Sequence, residues 1–259
     1  FLLIDEMGPV DYGPGEALGA PWHPHRGFET VTYLLDGRMR HEDSAGNSGE
    51  LNPGDVQWMT AGRGIIHCEE PHEEFLKTGG RTHGFQIWVN LPSSHKMMEP
   101  RYQEVPSTES PIVEQDGVWA RVIAGECMGT TSSIDTKIPI TLIHVKMKPE
   151  SRLVQQLQAD LNGMIYVFGG GINLENETRV KKSPIAFGIG AKQGIQDGEL
   201  ALLSEGEEIV IKSQEGAEFL IFAGPELNEP IERYGPFVMN TKEEIHQAFS
   251  DYQNGTFVN

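Results

Sequence analysis

Two short runs place metal-ligating side chains two residues apart: His23-Pro-His25 and His67-Cys-Glu69. Side chains alternate between the two faces of a β-strand, so residues i and i+2 share a face. Each run can therefore aim both of its ligand groups the same way. Two such strands side by side would offer three imidazole nitrogens and one carboxylate to a single ion. A lone His-x-His pair in a β-protein is more often a packed or surface pair than a ligand set. The second run, just after the glycine turn Gly62-Arg-Gly64, shifts the reading to a metal site. Four protein ligands leave an octahedral ion with open positions for water, substrate or dioxygen, an arrangement suited to catalysis rather than to a closed structural site. Such a centre keeps a net charge of about +1, stabilises an enolate oxygen and lowers the pKa of a bound hydroxyl.

The remaining candidates carry weaker signals. His41, in His41-Glu-Asp43, reads as a hydrogen-bonded or surface histidine, the alternative being a supporting place behind the ligands. His72, His83 and His95 lie in loop or strand-edge contexts and receive no ligand role. His144 and His246 are the two histidines of the second half and read as structural. Cys68 sits between two ligand positions, so a regular strand turns its thiol away from the ion. Trp22, Phe28, Trp58 and Trp88 surround the motifs; most should be core, and some could line the pocket of a planar ligand. Gly169-Gly-Gly171 reads as a turn between strands rather than a phosphate loop, because no Lys-Ser/Thr pattern follows it.

The elements that must position these groups are short strands. Thr30–Leu35, Gly84–Val89, Trp119–Ile123, Ile140–Val145, Met164–Phe168, Glu208–Lys212 and Glu218–Phe222 are apolar segments separated by Gly, Pro and Asp turns. That spacing predicts an all-β fold of sandwich or barrel domains. One late segment is helical in pattern: Asn240 or Thr241 can cap it, and Ile245, Ala248, Phe249 and Tyr252 repeat at three- and four-residue steps. It should pack back on the protein as a closing element. The polar, Pro-bearing stretch from Pro106 to Gly117 marks a boundary between two strand-rich halves. The expected division is 1–106, a linker 107–117, and 118–259 with the helix included. Asn52-Pro-Gly-Asp55 and Ser204-Glu-Gly-Glu207 each precede a strand and form a weak internal echo of duplication.

Composition narrows the function classes. The formal charge is −18, from 38 acidic and 20 basic residues, which disfavours nucleic acid and anionic membrane partners. No apolar run approaches the ~18 residues of a membrane span. Two cysteines, Cys68 and Cys127, without C-x-x-C spacing, point to a reducing cytoplasm. The sequence begins at Phe1 rather than Met, which leaves any preceding segment open.

The run from His23 through Arg26-Gly-Phe-Glu29, the run Asn52 to Glu69 and Gly235-Pro-Phe-Val-Met-Asn-Thr241 together resemble the pirin family across nearly the whole chain. The resemblance implies a bicupin: two tandem cupin (jelly-roll-like) β-barrels with a C-terminal helix, and one iron in the first barrel. The family's ligand pattern falls on His23, His25, His67 and Glu69. The second half, with His144 and His246 as its histidines, should form a cupin-like barrel without metal. Cupins more commonly take a Glu shortly after His-x-His, and Glu29 stands in that position; without a bulge it lies roughly 13 Å further along the strand. Glu69 is the expected ligand and Glu29 a supporting or strand-end carboxylate. Pro71 replaces the Asn of the broader cupin motif.

What the resemblance implies for function is a quercetin 2,3-dioxygenase-like enzyme that cleaves a planar flavonol with O2, with Fe2+ as the cofactor and Glu69 accepting the flavonol proton. The alternative is an iron- and redox-dependent co-regulator that binds a transcription factor or metabolic enzyme, nuclear if the source is eukaryotic. A plain structural metal site is a third reading.

Overall fold

The computed structural model describes residues 1–175, 194–204 and 206–258. Glu205, part of the sequence echo, lies outside the described residues. The chain forms two compact units, Phe1–Glu109 with Leu227–Asn259, and Ser110–Glu226.

In the first unit the strands are β1 (Leu3–Tyr12), β2 (Ala20–His25), β3 (Phe28–Asp36), β4 (Met39–Asp43), β5 (Ser48–Leu51), β6 (Val56–Thr60) and β7 (Ile65–Pro71). A short helix, α1 (Glu73–Thr78), then leads into β8 (Gly80–Asn90) and β9 (Arg101–Val105). Two antiparallel sheets result, ordered β1-β8-β3-β6-β9 and β2-β7-β4-β5. Strand parity sorts the side chains: Thr30 and Thr32 of β3 share a face with their ladder partners Trp88 and Gln86 of β8. Val31, Tyr33, Phe85 and Ile87 take the other face, and all four are buried. The Gly62 turn that launches β7 has a positive φ of 51°, and a Cβ there would come within 2.2 Å of the Met98 carbonyl oxygen, so only glycine fits.

The second unit contains β10 (Ile112–Gln115), β11 (Val118–Ala124), β12 (Glu126–Cys127), β13 (Thr130–Thr131), β14 (Thr141–Met147), β15 (Ser151–Gln156) and β16 (Leu161–Leu174). It continues with β17 (Gly194–Gln196), β18 (Leu200–Leu202), β19 (Glu208–Ser213) and β20 (Ala217–Pro225). Its core is apolar: Val122, Ile143, Val145, Ile165, Ile211 and Phe219 pack together with little solvent exposure. The three glycines at 169–171 do not form a turn between strands. They lie inside β16, just after a bulge against β20, where Gly170 has a φ of +66°. A Cβ at residue 170 would fall 2.2 Å from the Gly216 carbonyl oxygen, so the close approach of two backbones explains the glycine.

The C-terminal segment also departs from the expected division. Strands β21 (Glu232–Tyr234) and β22 (Phe237–Met239) and helix α2 (Lys242–Gln253) belong to the first unit, not to 118–259. Burial decides this: Phe237, Met239, Ile245, Ala248 and Phe257 form one cluster, with Ile66 of β7 packed against it. Arg26 reinforces the return through a 2.7 Å bond to Asp251 and a guanidinium 4.4 Å from the centroid of the Phe257 ring. Thr241, rather than Asn240, caps α2 in a reciprocal capping box with Glu244. Strand β10 occupies part of the stretch expected as linker.

Candidate metal centre

Strand β2 lies antiparallel to β7, with His23 directly opposite His67. A bulge between Ala20 and His23 puts an extra residue on β2, so that Glu69 pairs with Ala20. His41 of β4 lies across from Glu69 on the other side of β7. The same face of this sheet therefore carries His23, His25, His67, Glu69 and His41.

Three of the four candidate ligands converge closely. Ligand atoms of His23, His25 and His67 all lie within 4.8 Å of one another. Ring centroids are 4.3 Å apart for His23 and His67, and 5.1 Å for His25 and His67. The Glu69 carboxylate lies outside this group. It is buried on the same face, where Gln86 Nε2 donates to Oε2 at 3.3 Å and Thr32 Oγ1 lies 3.0 Å from Oε1. The Thr32 hydroxyl also lies 2.8 Å from Gln86 Oε1, and its single proton serves one acceptor at a time.

Hydrogen bonds fix two of the rings for ligation. His23 Nδ1–H donates to the Pro21 carbonyl at 2.7 Å, and His25 Nδ1–H donates to the Pro236 carbonyl at 3.3 Å. Both leave Nε2 available, the arrangement that metal-binding imidazoles use. His67 is different: it is buried, and neither ring nitrogen has a hydrogen-bond partner. Burial, then the neighbouring His23, lowers the His25 pKa to about 3, against a partial rise from the Pro236 bond. Burial and the surrounding histidines lower His67 to about 2. These two imidazoles are neutral, as ligands must be. Burial raises the Glu69 pKa, opposed by Thr32, His23, His41 and Gln86. An orphaned buried imidazole beside two oriented ones, with a carboxylate on the same face, suits a divalent cation of the zinc-to-iron class.

Glu29 does not join the centre. It is three residues from Thr32 on β3, hence on the opposite face, and accepts a 2.6 Å bond from Thr60. His41 is buried, with Nε2 2.6 Å from Glu104 Oε1 and its ring stacked on Tyr102. The hydrogen-bonded reading holds for it and the surface reading does not. His72 caps α1, while His83 and His144 bond Glu6 and Glu218. Cys68 is buried, with a thiol pKa raised chiefly by burial. Trp88 and Phe28 line the centre, with the Trp88 ring 5.5 Å from His25 and 4.4 Å from Phe28. Sequence reasoning missed the supports Thr32, Gln86 and Pro236. They come from distant positions, and no local spacing signals them.

Tandem β-domains, the first holding a three-histidine cluster between its sheets, define a cupin protein. Two family models match the chain: Pirin over residues 1–89 and the Pirin C-terminal cupin domain over 142–258. Human pirin is 42% identical over 257 residues, covering 98% of this chain and 81% of that one. A Pseudomonas aeruginosa protein, provisionally named a quercetin 2,3-dioxygenase, is 40% identical over 98% of this chain and 85% of its own. A quercetin 2,3-dioxygenase structure from Acinetobacter baumannii matches with a TM-score of 0.89 at 36% identity, covering 99% of this chain and 85% of that chain. The chain belongs to the pirin family. Among the described residues no helix is long and apolar enough to cross a membrane.

Proposed function

We propose that this protein is an iron-dependent, quercetin 2,3-dioxygenase-like enzyme that opens a flavonol with O2. The observation that carries the metal is the buried His67 ring, unpartnered at both nitrogens and facing two imidazoles with free Nε2 atoms. His23, His25 and His67 would hold the ion, and Glu69, on the same face, would supply the fourth, oxygen ligand. When bound, Fe2+ would supply Lewis acidity and redox access to O2. The substrate reading draws on the relatives named for quercetin dioxygenation, one by sequence and one by structure.

The protein's own contribution is binding and proton handling. The part-exposed Trp88, backed by the buried Phe28, gives the site an aromatic surface for a planar ring. Glu69, buried on the same face as the three histidines, accepts the flavonol hydroxyl proton. Thr32 and Gln86 orient it. The test is oxygen consumption by iron-loaded protein with a panel of flavonols, beside measured iron content. Oxygen uptake that requires both iron and flavonol supports the reading. Full iron occupancy with no uptake for any flavonol overturns it and leaves the co-regulator role as the reading to pursue.

A further inference from the structure

The hairpin β21–β22 belongs to the centre as much as the histidine strands do. Its turn residue Pro236 accepts the His25 hydrogen bond, and three residues earlier Arg233 lies over the Trp88 indole, with Cζ 4.4 Å from the ring centroid. The same indole meets His25 edge-on and packs against Phe28. His25, His67, Glu69 and Thr32 are buried, whereas His23, Gln86 and Trp88 keep partial exposure and Arg233 is exposed. His23, Gln86 and Trp88 are thus the part-exposed residues around the centre, and Arg233 lies over one of them, Trp88.

The electrostatic setting of Arg233 is unusual for this chain. Arg26, Arg38, Arg40, Arg63 and Arg152 each pair with a carboxylate, as expected at a net charge of −18. Arg233 has no carboxylate partner among the described residues. A guanidinium held over an aromatic ring loses rotamer freedom while its N–H groups can still donate to an oxygen. Those donors suit an anionic oxygen, and the acidic protein would otherwise repel an anionic ligand.

We propose that Arg233 is a specificity-determining residue that selects planar aromatic ligands carrying an anionic oxygen at the end remote from the three histidines. This rests on the flavonol reading for the ligand's ring system, though not for its charge. The guanidinium donates to that oxygen while the ring system lies toward the histidines. No bond is made or broken by Arg233.

The experiment is calorimetric binding under nitrogen to iron-loaded parent, Arg233→Gln and Arg233→Lys. The probes are quercetin sulfonated on its pendant ring and quercetin methylated at the same ring, with 2-naphthoate and 2-naphthamide as a second, non-flavonol pair. The parent should prefer each anion over its neutral counterpart by about tenfold or more. That preference should collapse in Arg233→Gln and persist in part in Arg233→Lys, with iron content and neutral-ligand affinity unchanged. If Arg233 only clamps the hairpin, Arg233→Gln will melt earlier while the anion-to-neutral ratio stays parental, and the proposal fails. It fails equally if the parent shows no anion preference in either pair. An Arg233-dependent preference confined to the naphthoate pair would uphold the proposal while removing the flavonol reading.

Discussion

Burial leaves His67 with two ring nitrogens and no hydrogen-bond partner for either, a penalty of roughly 1–3 kcal/mol for each unsatisfied polar group that has no water. A bound cation would satisfy one of them. His67→Ala is therefore expected to lose iron and activity together, measured by elemental analysis beside oxygen uptake. Glu69→Gln separates the two roles assigned to that carboxylate. The amide can still ligate weakly but cannot take a proton at neutral pH, so partial iron retention with roughly 10²–10⁴-fold lower turnover is expected. Parental turnover at full iron occupancy would remove the proton-accepting role. The identities of these residues were legible from two i, i+2 runs. The neutrality of His25 and His67 was not, because it follows from burial and mutual proximity that spacing alone does not report.

At the scale of the elements, the centre depends on a strand register and on a returning C-terminal segment. Lys96 is buried and donates to the Gly27 and Val238 carbonyls and to Asn90 Oδ1, so one ammonium joins three separate parts of the first unit. Burial lowers its pKa to about 8. The capping box holds the start of α2, and Thr241→Ala is expected to cost about 1 kcal/mol, read from the urea midpoint of unfolding. A Thr241→Ser variant keeps the hydroxyl and should recover most of that loss. The helix and its cap were readable because both are local patterns of a few residues. Its destination was not: the sequence division placed it with 118–259, whereas the apolar cluster around Phe237 and Phe257 binds it to the first unit.

At the scale of the whole molecule, metal and acid are the two conditions expected to change stability. Chelation should lower the melting temperature and iron should restore it, because a ligand that binds the native state alone adds stability by mass action. Acid acts on the second unit as well. Burial would raise the Glu218 carboxyl, but hydrogen bonds from His144 and Lys146 outweigh it and hold the pKa at about 2. A carboxylate depressed in the folded state stabilises above its ordinary value of 4.5, and that contribution is lost as pH falls through about 2. His144 is lowered by burial despite Glu218, so below pH 6.5 the unfolded chain takes up a proton that the folded chain resists. Both groups act in one direction: stability falls on acidification. Urea midpoints recorded from pH 6.5 down to 3 should decline, and Glu218→Gln should flatten the decline below 4.5. An unchanged slope would show that this trio does not govern the acid limb.

The sequence by itself determined the types of the candidate ligands, the strand character of both halves and the presence of a capped final helix. Each of these is written in spacings of a few residues, two for a strand and three or four for a helix. Tertiary structure decided which strands became neighbours. It set His23 against His67 across a bulge, turned Glu29 to the far face, and placed Thr32 and Gln86 beside Glu69. It also brought Pro236 and Arg233 to a centre whose histidines lie more than 160 residues earlier in the chain. It drew the glycines at 169–171 into a strand because two backbones meet at Gly170. Local spacing specifies the face on which a side chain lies, but the burial of the C-terminal apolar cluster and the pairing of non-adjacent strands specify what that face meets.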